Sequence, residues 1–466
     1  MRDLRPFLMQ NLVLPTYDLA RGTSRFSRGR ILERTQWLSL KEIEHLQLRN
    51  LRALLKHAYE TVPYYRKAFR MRHLSPEDVK SIVDLNKLPQ LTKEDVQNRR
   101  RELLSTACDR RSLMPYQSGG TGNPIKFFIT KDSYSWEIAA EFRAYGWAGY
   151  ELGDRCFMFW GSPIDLSRAE SLVRRINHRL ERVLIAGTYV LSDRVFEKFA
   201  QMLRRFHPKI IRGYASSVAL MARYLNDKQI CDIRPKAVIT AAETLQKPMR
   251  KEIEKAFDCP VFDYYGSREI GAIASECQEH VGYHISAENV VVEFVEENEP
   301  VSADERGLML VTDLRNFGMP FIRYKIGDVG KPSKDLCPCG RGLPLMSSIE
   351  GRVSDFMASY DETRKRVIPV GPIYPVIITA AMHLPIENFQ AVQDDIDSIR
   401  VKVVRSEGYT QEHTDYMVKY IHEQLGSSLK IEIEFVDSIP PLPSGKRSVF
   451  LSKIDPFQVS SEARDI

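Results

Sequence analysis

No stretch of these 466 residues is apolar for long enough to span a bilayer, and no integral membrane segment is expected. The N-terminus lacks the apolar core and small-residue cleavage site of an export signal. Cysteine is scarce: seven residues, an odd number, suit a reducing compartment better than a disulfide framework, so the expected location is the cytoplasm. The chain has no clear internal repeat, no basic helix and no stacking platform, which excludes nucleic acid as an expected partner. Neither sign of charge dominates, since 67 Lys and Arg against 61 Asp and Glu leave a net +6. The local exception is Arg21, Arg25, Arg28, Arg30 and Arg34. Nucleic acid or an anionic membrane surface could explain that cluster, but a solvated, partly mobile arm over residues 1–38 explains it more simply.

What is present is ordinary globular sequence, 43% hydrophobic and 27% charged, long enough for two to three domains. Residues 39–59 carry the clearest helix: Ser39 and Glu42 form a capping box, and Ile43, Leu46, Leu51, Leu54, Leu55 and Ala58 fill one face. Val62-Pro63 ends it, and Thr92 caps another helix after the Leu88-Pro89 turn. Further on, strand-like runs at 156–160, 209–211, 237–240 and 261–264 alternate with helical patterns around 193–206, 216–226 and 247–257. That alternation predicts α/β layers with a largely parallel sheet. Over 288–326 the pattern turns to strands alone, predicting an antiparallel or barrel-like addition. Beyond a boundary near Gly351-Arg352, strands at 388–392, 399–404 and 431–436 and a helix at 411–425 predict a small α+β domain. The expected division is thus 1–38, 39–352 for a large domain and 353–466 for a small, mobile one.

The chemistry-bearing stretch is Tyr116-Gln117-Ser118-Gly119-Gly120-Thr121-Gly122-Asn123-Pro124. Three glycines in four positions let the backbone turn tightly and aim N–H groups at anionic oxygens, and Ser118 and Thr121 add hydroxyls. No Gly-Lys-Ser/Thr opens a helix after it, which separates it from the P-loop. Taken alone it reads equally well as a plain hairpin turn. Four later motifs join it. Ala241-Ala242-Glu243-Thr244 follows a strand and would lie at the sheet's carboxyl edge, where open α/β sheets bind ligands. Tyr264-Tyr265-Gly266-Ser267-Arg268-Glu269 offers an aromatic face for a base, a close backbone approach and a carboxylate for a metal. Asp328 could hold a ribose diol, and Arg352 sets a bidentate cation at the domain junction. Lys446 sits on a Pro443-Ser444-Gly445-Lys446 turn. Singly, each of these is more often structural than catalytic. The helix over 133–149, rich in Trp136, Phe142, Tyr145 and Trp147, could line a substrate pocket, though aromatics at helical spacing more often fill a core.

A separate constellation is Cys337-Pro338-Cys339-Gly340, preceded by Cys277 and either His280 or His284. Zinc takes four N/S ligands, and thiolates in so tight a turn are hard to justify as packing, although two surface turns with unrelated cysteines would also produce them.

The ordered motifs resemble the adenylate-forming superfamily of acyl and aryl ligases. Within it they are most similar to the phenylacetate–coenzyme A ligase branch and its CapK-like, capsular-polysaccharide homologues. Ala58-Tyr59-Glu60-Thr61-Val62-Pro63-Tyr64-Tyr65-Arg66 and Asn388-Phe389-Gln390-Ala391-Val392-Gln393 carry the branch-level likeness, which runs from about residue 40 to 455. The resemblance implies an α/β protein, a large adenylate-forming domain with layered sheets and helices plus a small α+β domain. It implies that a carboxylate attacks the α-phosphate of MgATP to give an acyl-adenylate and pyrophosphate, after which a thiol or amine displaces AMP. By the family pattern, Ser118, Gly119, Gly120, Thr121 and Gly122 hold the β,γ-phosphates, and Ala242, Glu243, Tyr265, Gly266 and Ser267 border the nucleotide. Glu269 coordinates Mg²⁺, Asp328 binds ribose, Arg352 contacts ribose or phosphate, and Lys446 bridges carboxylate and α-phosphate. The same likeness implies a structural Zn²⁺ on Cys277, His284, Cys337 and Cys339, choosing His284 within Gly282-Tyr283-His284-Ile285.

Two departures bear on the acceptor. Ser354, followed by Asp355, stands where many relatives have an acidic hinge residue, and Tyr360-Asp361-Glu362-Thr363-Arg364-Lys365 replaces a glycine-containing loop typical of coenzyme A ligases. Coenzyme A and an amine on a sugar or peptide therefore both stay open, as does a homodimer. A competing expectation is a degenerate homologue that binds nucleotide as a non-catalytic partner in cell-surface polysaccharide synthesis. The intact Glu269, Asp328 and Lys446 argue against it.

Overall fold

Ser39 starts the longest helix as its sequence demands. The Glu42 carboxylate accepts from the Ser39 N–H at 2.8 Å while the Ser39 hydroxyl accepts from the Glu42 N–H at 3.4 Å. This computed structural model describes the chain except residues 1–3, 119–123, 161–180, 189–192, 353–355, 362–365, 373–383, 426, 428, 441–448, 453 and 455–466. Ahead of that helix the N-terminal residues depart from the expected solvated arm. They form α1 (Arg5–Leu8), a π turn (Met9–Val13), α2 (Leu14–Arg21) and α3 (Arg25–Thr35). The long helix is α4 (Leu40–Thr61), followed by α5 (Pro63–Met71) and the Thr92-capped α6 (Lys93–Asn98).

Two arginines of α3, Arg25 and Arg28, pair with carboxylates, while Arg30 and Arg34 are exposed. Arg25 Nε donates to buried Asp18 at 2.8 Å, and Arg28 pairs with Asp132 at 2.7 Å while lying over the Trp136 ring. Asp132 begins α7 (Lys131–Trp147), capped by the Thr130 hydroxyl, and α3 packs along α7. Farther along α7, Arg143 meets Glu288 at 2.7 and 3.2 Å, and Glu288 also accepts from the Thr35 hydroxyl. Both partners of this pair are almost fully buried, their side chains 2% and 1% exposed. Arg28 looks solvated in the sequence because Asp132 lies 104 residues away, whereas Arg21, Arg30 and Arg34 are exposed as that reading expects.

A hairpin, β1 (Leu113–Gln117) and β2 (Lys126–Thr130), precedes α7. The main sheet then collects β3 (Cys156–Trp160), β4 (Val183–Gly187), β5 (Ile210–Tyr214), β6 (Ala237–Ala241), β7 (Val261–Ser267), β8 (Gly271–Glu276) and β9 (Tyr283–Ile285). It continues through β10 (Val290–Glu296), β11 (Glu299–Pro300), β12 (Gly307–Asp313), β13 (Tyr324–Pro332) and β14 (Leu345–Arg352). The strand order is β11-β10-β12-β13-β14-β9-β8-β7-β6-β5-β3-β4. From β4 to β7 the pairing is parallel, and β7 to β8 is the switch to antiparallel. The antiparallel addition foreseen over 288–326 thus extends the same sheet rather than building a barrel beside it. Helices Asp193–Phe206, Ala215–Asp227 and Lys247–Phe257 link the parallel strands and bury Phe199, Val218, Met221 and Ile253 against Phe157, Ile211 and Val238. Trp136 and Tyr145 of α7 are core residues.

The chain divides into two compact units, Met1–Ile326 with Gly330–Ile349, and Gly327–Val329 with Glu350–Ile466. In the second, β15 (Phe356–Asp361) and β16 (Arg366–Pro372) form a hairpin. A four-stranded sheet follows, ordered β19 (Lys430–Phe435), β18 (Ser398–Arg405), β17 (Ile386–Asp395) and β20 (Phe450–Ser452). The helix Gln411–Leu425 sets Met417 and Ile421 into the same core as Val401, Val403 and Phe450.

Candidate functional site

The parallel register lines up one edge of the main sheet. Tyr214 stands opposite Ala241, and Ala241 opposite Tyr264, so the chain leaves β5, β6 and β7 side by side. Ala242, immediately past β6, takes a left-handed φ of 68°, a costly conformation for a residue with a Cβ and one that clusters at ligand sites. The next residue, Glu243, accepts from the Ser216 N–H at 2.9 Å. Ser216 lies in the first turn of the helix Ala215–Asp227, whose N-cap Tyr214 supplies no side-chain acceptor. Glu243 therefore brings the negative charge that a helix N-terminus favours and ties two of the edge turns together.

On β7, Tyr265 is half-buried with its hydroxyl 3.9 Å from Met309 Sδ, and a bulge separates it from Gly266. A Cβ on Gly266 would sit 2.5 Å from the Gly271 carbonyl oxygen and 3.2 Å from the Tyr264 ring, so only glycine fits. Ser267 Oγ accepts from the Ile270 N–H at 3.2 Å and closes the turn that carries Arg268 and half-buried Glu269. In the hairpin, buried Ser118 makes the neck of the glycine loop. Its N–H donates to the Ile125 carbonyl at 2.9 Å and its hydroxyl oxygen accepts from the Ile125 N–H at 3.0 Å. Gly119, Gly120, Thr121 and Gly122 lie outside the described residues, as do Ser354, Asp355, residues 362–365 and Lys446.

Polar groups not foreseen in the sequence surround this edge. Glu137 of α7 packs over Gly271, where any Cβ would fall 2.3 Å from Glu137 Cγ. One turn on, Glu141 accepts from Arg212 of β5 at 2.9 Å and from the Tyr145 hydroxyl, with the Arg212 guanidinium 4.0 Å over the Tyr145 ring. Burial pushes the Glu137 carboxyl up to about 8, with Glu141 and Asp313 adding to the rise and Arg268 opposing it. The signal for them is two glutamates four residues apart in an otherwise aromatic helix. Beneath the Tyr265 turn, Asp263 accepts from Thr240 at 2.7 Å and from Tyr283 at 2.9 Å. Its own N–H donates to Glu276, which also accepts two bonds from Arg250. Burial, then the nearby Glu276 carboxylate, pushes Asp263 up to about 7.

Within the second unit, Arg352 Nε lies 3.4 Å from Asp328 Oδ1. Each follows a glycine with positive φ, Gly327 at 84° and Gly351 at 119°.

The cysteine constellation does assemble. Ligand atoms of Cys277, His284, Cys337 and Cys339 all lie within 4.8 Å of one another. Cys277 Sγ is 3.5 Å from Cys337 Sγ, and Cys339 Sγ is 3.3 Å from His284 Nε2. His284 Nδ1 faces the Leu343 carbonyl at 3.4 Å, leaving Nε2 toward the sulfurs, and burial pushes its pKa down to about 4, so the ring is neutral. Three thiols and a neutral imidazole in a closed, buried site fit tetrahedral Zn²⁺. His280, the alternative, turns to Glu276 at 3.4 Å and stands outside the cluster.

Among the described residues no helix is long and apolar enough to cross a membrane. Residues 370–453 match the family described as the CapK C-terminal domain. The chain is similar to protein CapK of Staphylococcus aureus, 24% identical over 458 residues covering 96% of this chain and 98% of that one. It is also similar to the phenylacetate-coenzyme A ligase of Escherichia coli (strain K12), 28% identical over 340 residues covering 70% and 75%. A crystal structure of 2-hydroxyisobutyryl-CoA ligase in the postadenylation state with R3-HIB-AMP superposes with a TM-score of 0.71 at 18% identity, covering 91% of this chain and 92% of the other. At that identity the likeness establishes the fold, that of an adenylate-forming coenzyme A ligase with a C-terminal domain.

Proposed function

We propose that this chain, a homologue of CapK and of the phenylacetate-coenzyme A ligases, is an AMP-forming ligase that converts a small-molecule carboxylate into an acyl-adenylate with MgATP and then transfers the acyl group to coenzyme A or an amine. What supports this most is the register of β5, β6 and β7, because it gathers the Ala242–Glu243 and Tyr265–Glu269 turns at one edge. An edge of this kind suits a nucleotide: Tyr265 offers a ring face, Gly266 lets the backbone approach, and Glu269 offers a carboxylate to Mg²⁺. The N–H groups of the glycine loop would take the β,γ-phosphates, with Ser118 fixing its neck. Asp328 would take the ribose hydroxyls while Arg352 orients it. Lys446 would meet the charge that builds on the α-phosphate as the carboxylate attacks.

The carboxylate oxygen forms a bond to the α-phosphorus and pyrophosphate leaves. In the second step the acceptor's sulfur or nitrogen attacks the acyl carbon, and AMP leaves with the bonding electrons. Zn²⁺ on Cys277, His284, Cys337 and Cys339 would be structural: it would fasten β9 and the turn carrying Cys337 and Cys339 to the end of β8, with no part in bond making. ATP–pyrophosphate exchange across a panel of aryl, acyl and amino acids tests the reading. Acid-dependent exchange with AMP as the nucleotide product is expected. ADP as the product would overturn it, and ATP binding without exchange to any acid would favour a non-catalytic homologue.

A further inference from the structure

Glu137 of α7 stands beside the nucleotide edge with a carboxyl that nothing answers. Its Cγ and Cδ lie over Gly271, 2.3 and 2.7 Å from where a Cβ would stand, and Gly271 pairs with Ser267 at the turn that carries Glu269. Tyr116, two residues before Ser118, and Arg268 both interact with Glu137 electrostatically. The carboxyl therefore sits between the neck of the glycine loop and the Tyr265–Glu269 turn. The other acids around it are all answered. Asp18 accepts from Arg25, Thr23 and the Phe26 N–H, Glu141 from Arg212 and the Tyr145 hydroxyl, Glu288 from Arg143 and Thr35, and Asp313 from the Arg315 N–H. Among the described residues Glu137 forms neither a hydrogen bond nor an ion pair. It is deep enough for burial to dominate its surroundings, yet part of the side chain stays accessible, so it lines a recess rather than filling a core. An unmet carboxyl is costly in a protein interior and is characteristic of a place that receives a ligand.

We propose that Glu137 selects the acid to be activated, accepting the ammonium group of an amine-bearing carboxylic acid. The inference rests on the ligase reading and deepens it. The surrounding charge favours a cation: Glu141 and Asp313 add negative potential at Glu137, and Arg268 opposes them from the exposed turn. An ammonium entering this field gains from all three carboxyls, whereas the acid's own carboxylate is repelled and points away from Glu137. A neutral alkyl or aryl tail would leave the Glu137 oxygens unmet, and a site built to bond a substrate N–H rejects the analogue that lacks it.

Three matched pairs test it: L-phenylalanine against phenylpropionate, para-aminomethylbenzoate against para-ethylbenzoate, and β-alanine against butyrate. Each is read by calorimetric titration onto the full chain with AMP present, and by ATP–pyrophosphate exchange. In at least one pair the amine-bearing member should bind about tenfold or more tightly than its partner, with the same preference in kcat/KM, carried by KM. Glu137→Gln keeps the shape without the charge and should abolish that preference. Glu137→Asp keeps the charge on a shorter arm and should retain the preference in weaker form. Exchange with neutral acids and no preference for an amine in any pair would overturn the proposal and leave the ligase reading standing. Amine-selective binding that needs Glu137, with no exchange to any acid, would keep the recognition and overturn the ligase reading instead. A preference unchanged by Glu137→Gln, or equal in the Gln and Asp variants, would also overturn the proposal.

Discussion

The Asp328 carboxylate is nine-tenths buried and pairs with Arg352 at 3.4 Å across two glycine-hinged strand segments. An acceptor held in that way is fixed in place, as recognition of a diol requires. Asp328→Asn should raise the KM for ATP in pyrophosphate exchange about tenfold or more, the worth of a hydrogen bond to a charged group, with a smaller change in kcat. Arg352→Ala should shift the same constant in the same direction. Unchanged KM values in both variants would remove these residues from nucleotide recognition.

Lys446 offers a way to separate the two half-reactions. An ammonium helps where negative charge builds on the α-phosphate and helps less once the adenylate exists. Lys446→Ala should slow exchange by about 10²–10³-fold, the cost of one preorganised donor, while ATP affinity stays near normal. Transfer from a synthetic acyl-adenylate should largely survive. Equal losses in both half-reactions would assign the lysine another role.

The thiol cluster predicts about one zinc per chain by elemental analysis after purification without chelators. Burial pushes the Cys277 thiol up to about 12, so without a cation this sulfur stays protonated and the cluster is held only by weak thiol contacts such as Cys277–Cys337 and Cys339–His284. Cys339→Ser should therefore lose the metal and lower the thermal midpoint by roughly 5 °C or more. His280→Ala should keep the metal, because His280 faces Glu276. Metal-free wild-type protein with the same stability would end the assignment.

Glu137 makes stability depend on pH in a direction that can be worked out. Its carboxyl is raised from an ordinary 4.5 to about 8, chiefly by burial. A raised acid binds its proton more tightly when folded, so its contribution is complete below about 4.5 and is lost as pH climbs toward 8. Glu137→Gln mimics the protonated form and escapes that loss. Urea unfolding from pH 5 to 8 should show wild type falling behind the variant by on the order of 1 kcal/mol or more. Parallel curves would show that Glu137 is solvated in the folded protein.

Local signals in the sequence are enough for elements that carry their own ends. The Ser39 and Thr92 capping boxes, the helices at 193–206, 216–226 and 247–257 and the strands expected at 388–392, 399–404 and 431–436 lie where periodicity and caps put them. The thiol and imidazole cluster is legible too, since two cysteines in a Cys-Pro-Cys-Gly turn suit a metal better than packing, and the geometry brings in His284 rather than His280. What stays hidden depends on partners far along the chain. Arg28 reads as solvated because Asp132 lies outside any local window, and Glu137 and Glu141 are obscured by the aromatics around them. Glu243 reads as a ligand contact, yet its carboxylate also caps a helix that begins 28 residues earlier, at Ala215.

The Arg143–Glu288 pair has a consequence for how such a sequence can change over time. With both side chains almost wholly enclosed, losing either one strands a bare charge and costs about 3–5 kcal/mol, a large share of what keeps a domain folded. A lineage therefore has no viable single step away from this pair. The arginine and the glutamate must be inherited together or exchanged together, and with them the seating of the N-terminal helices, however freely the surface around them drifts.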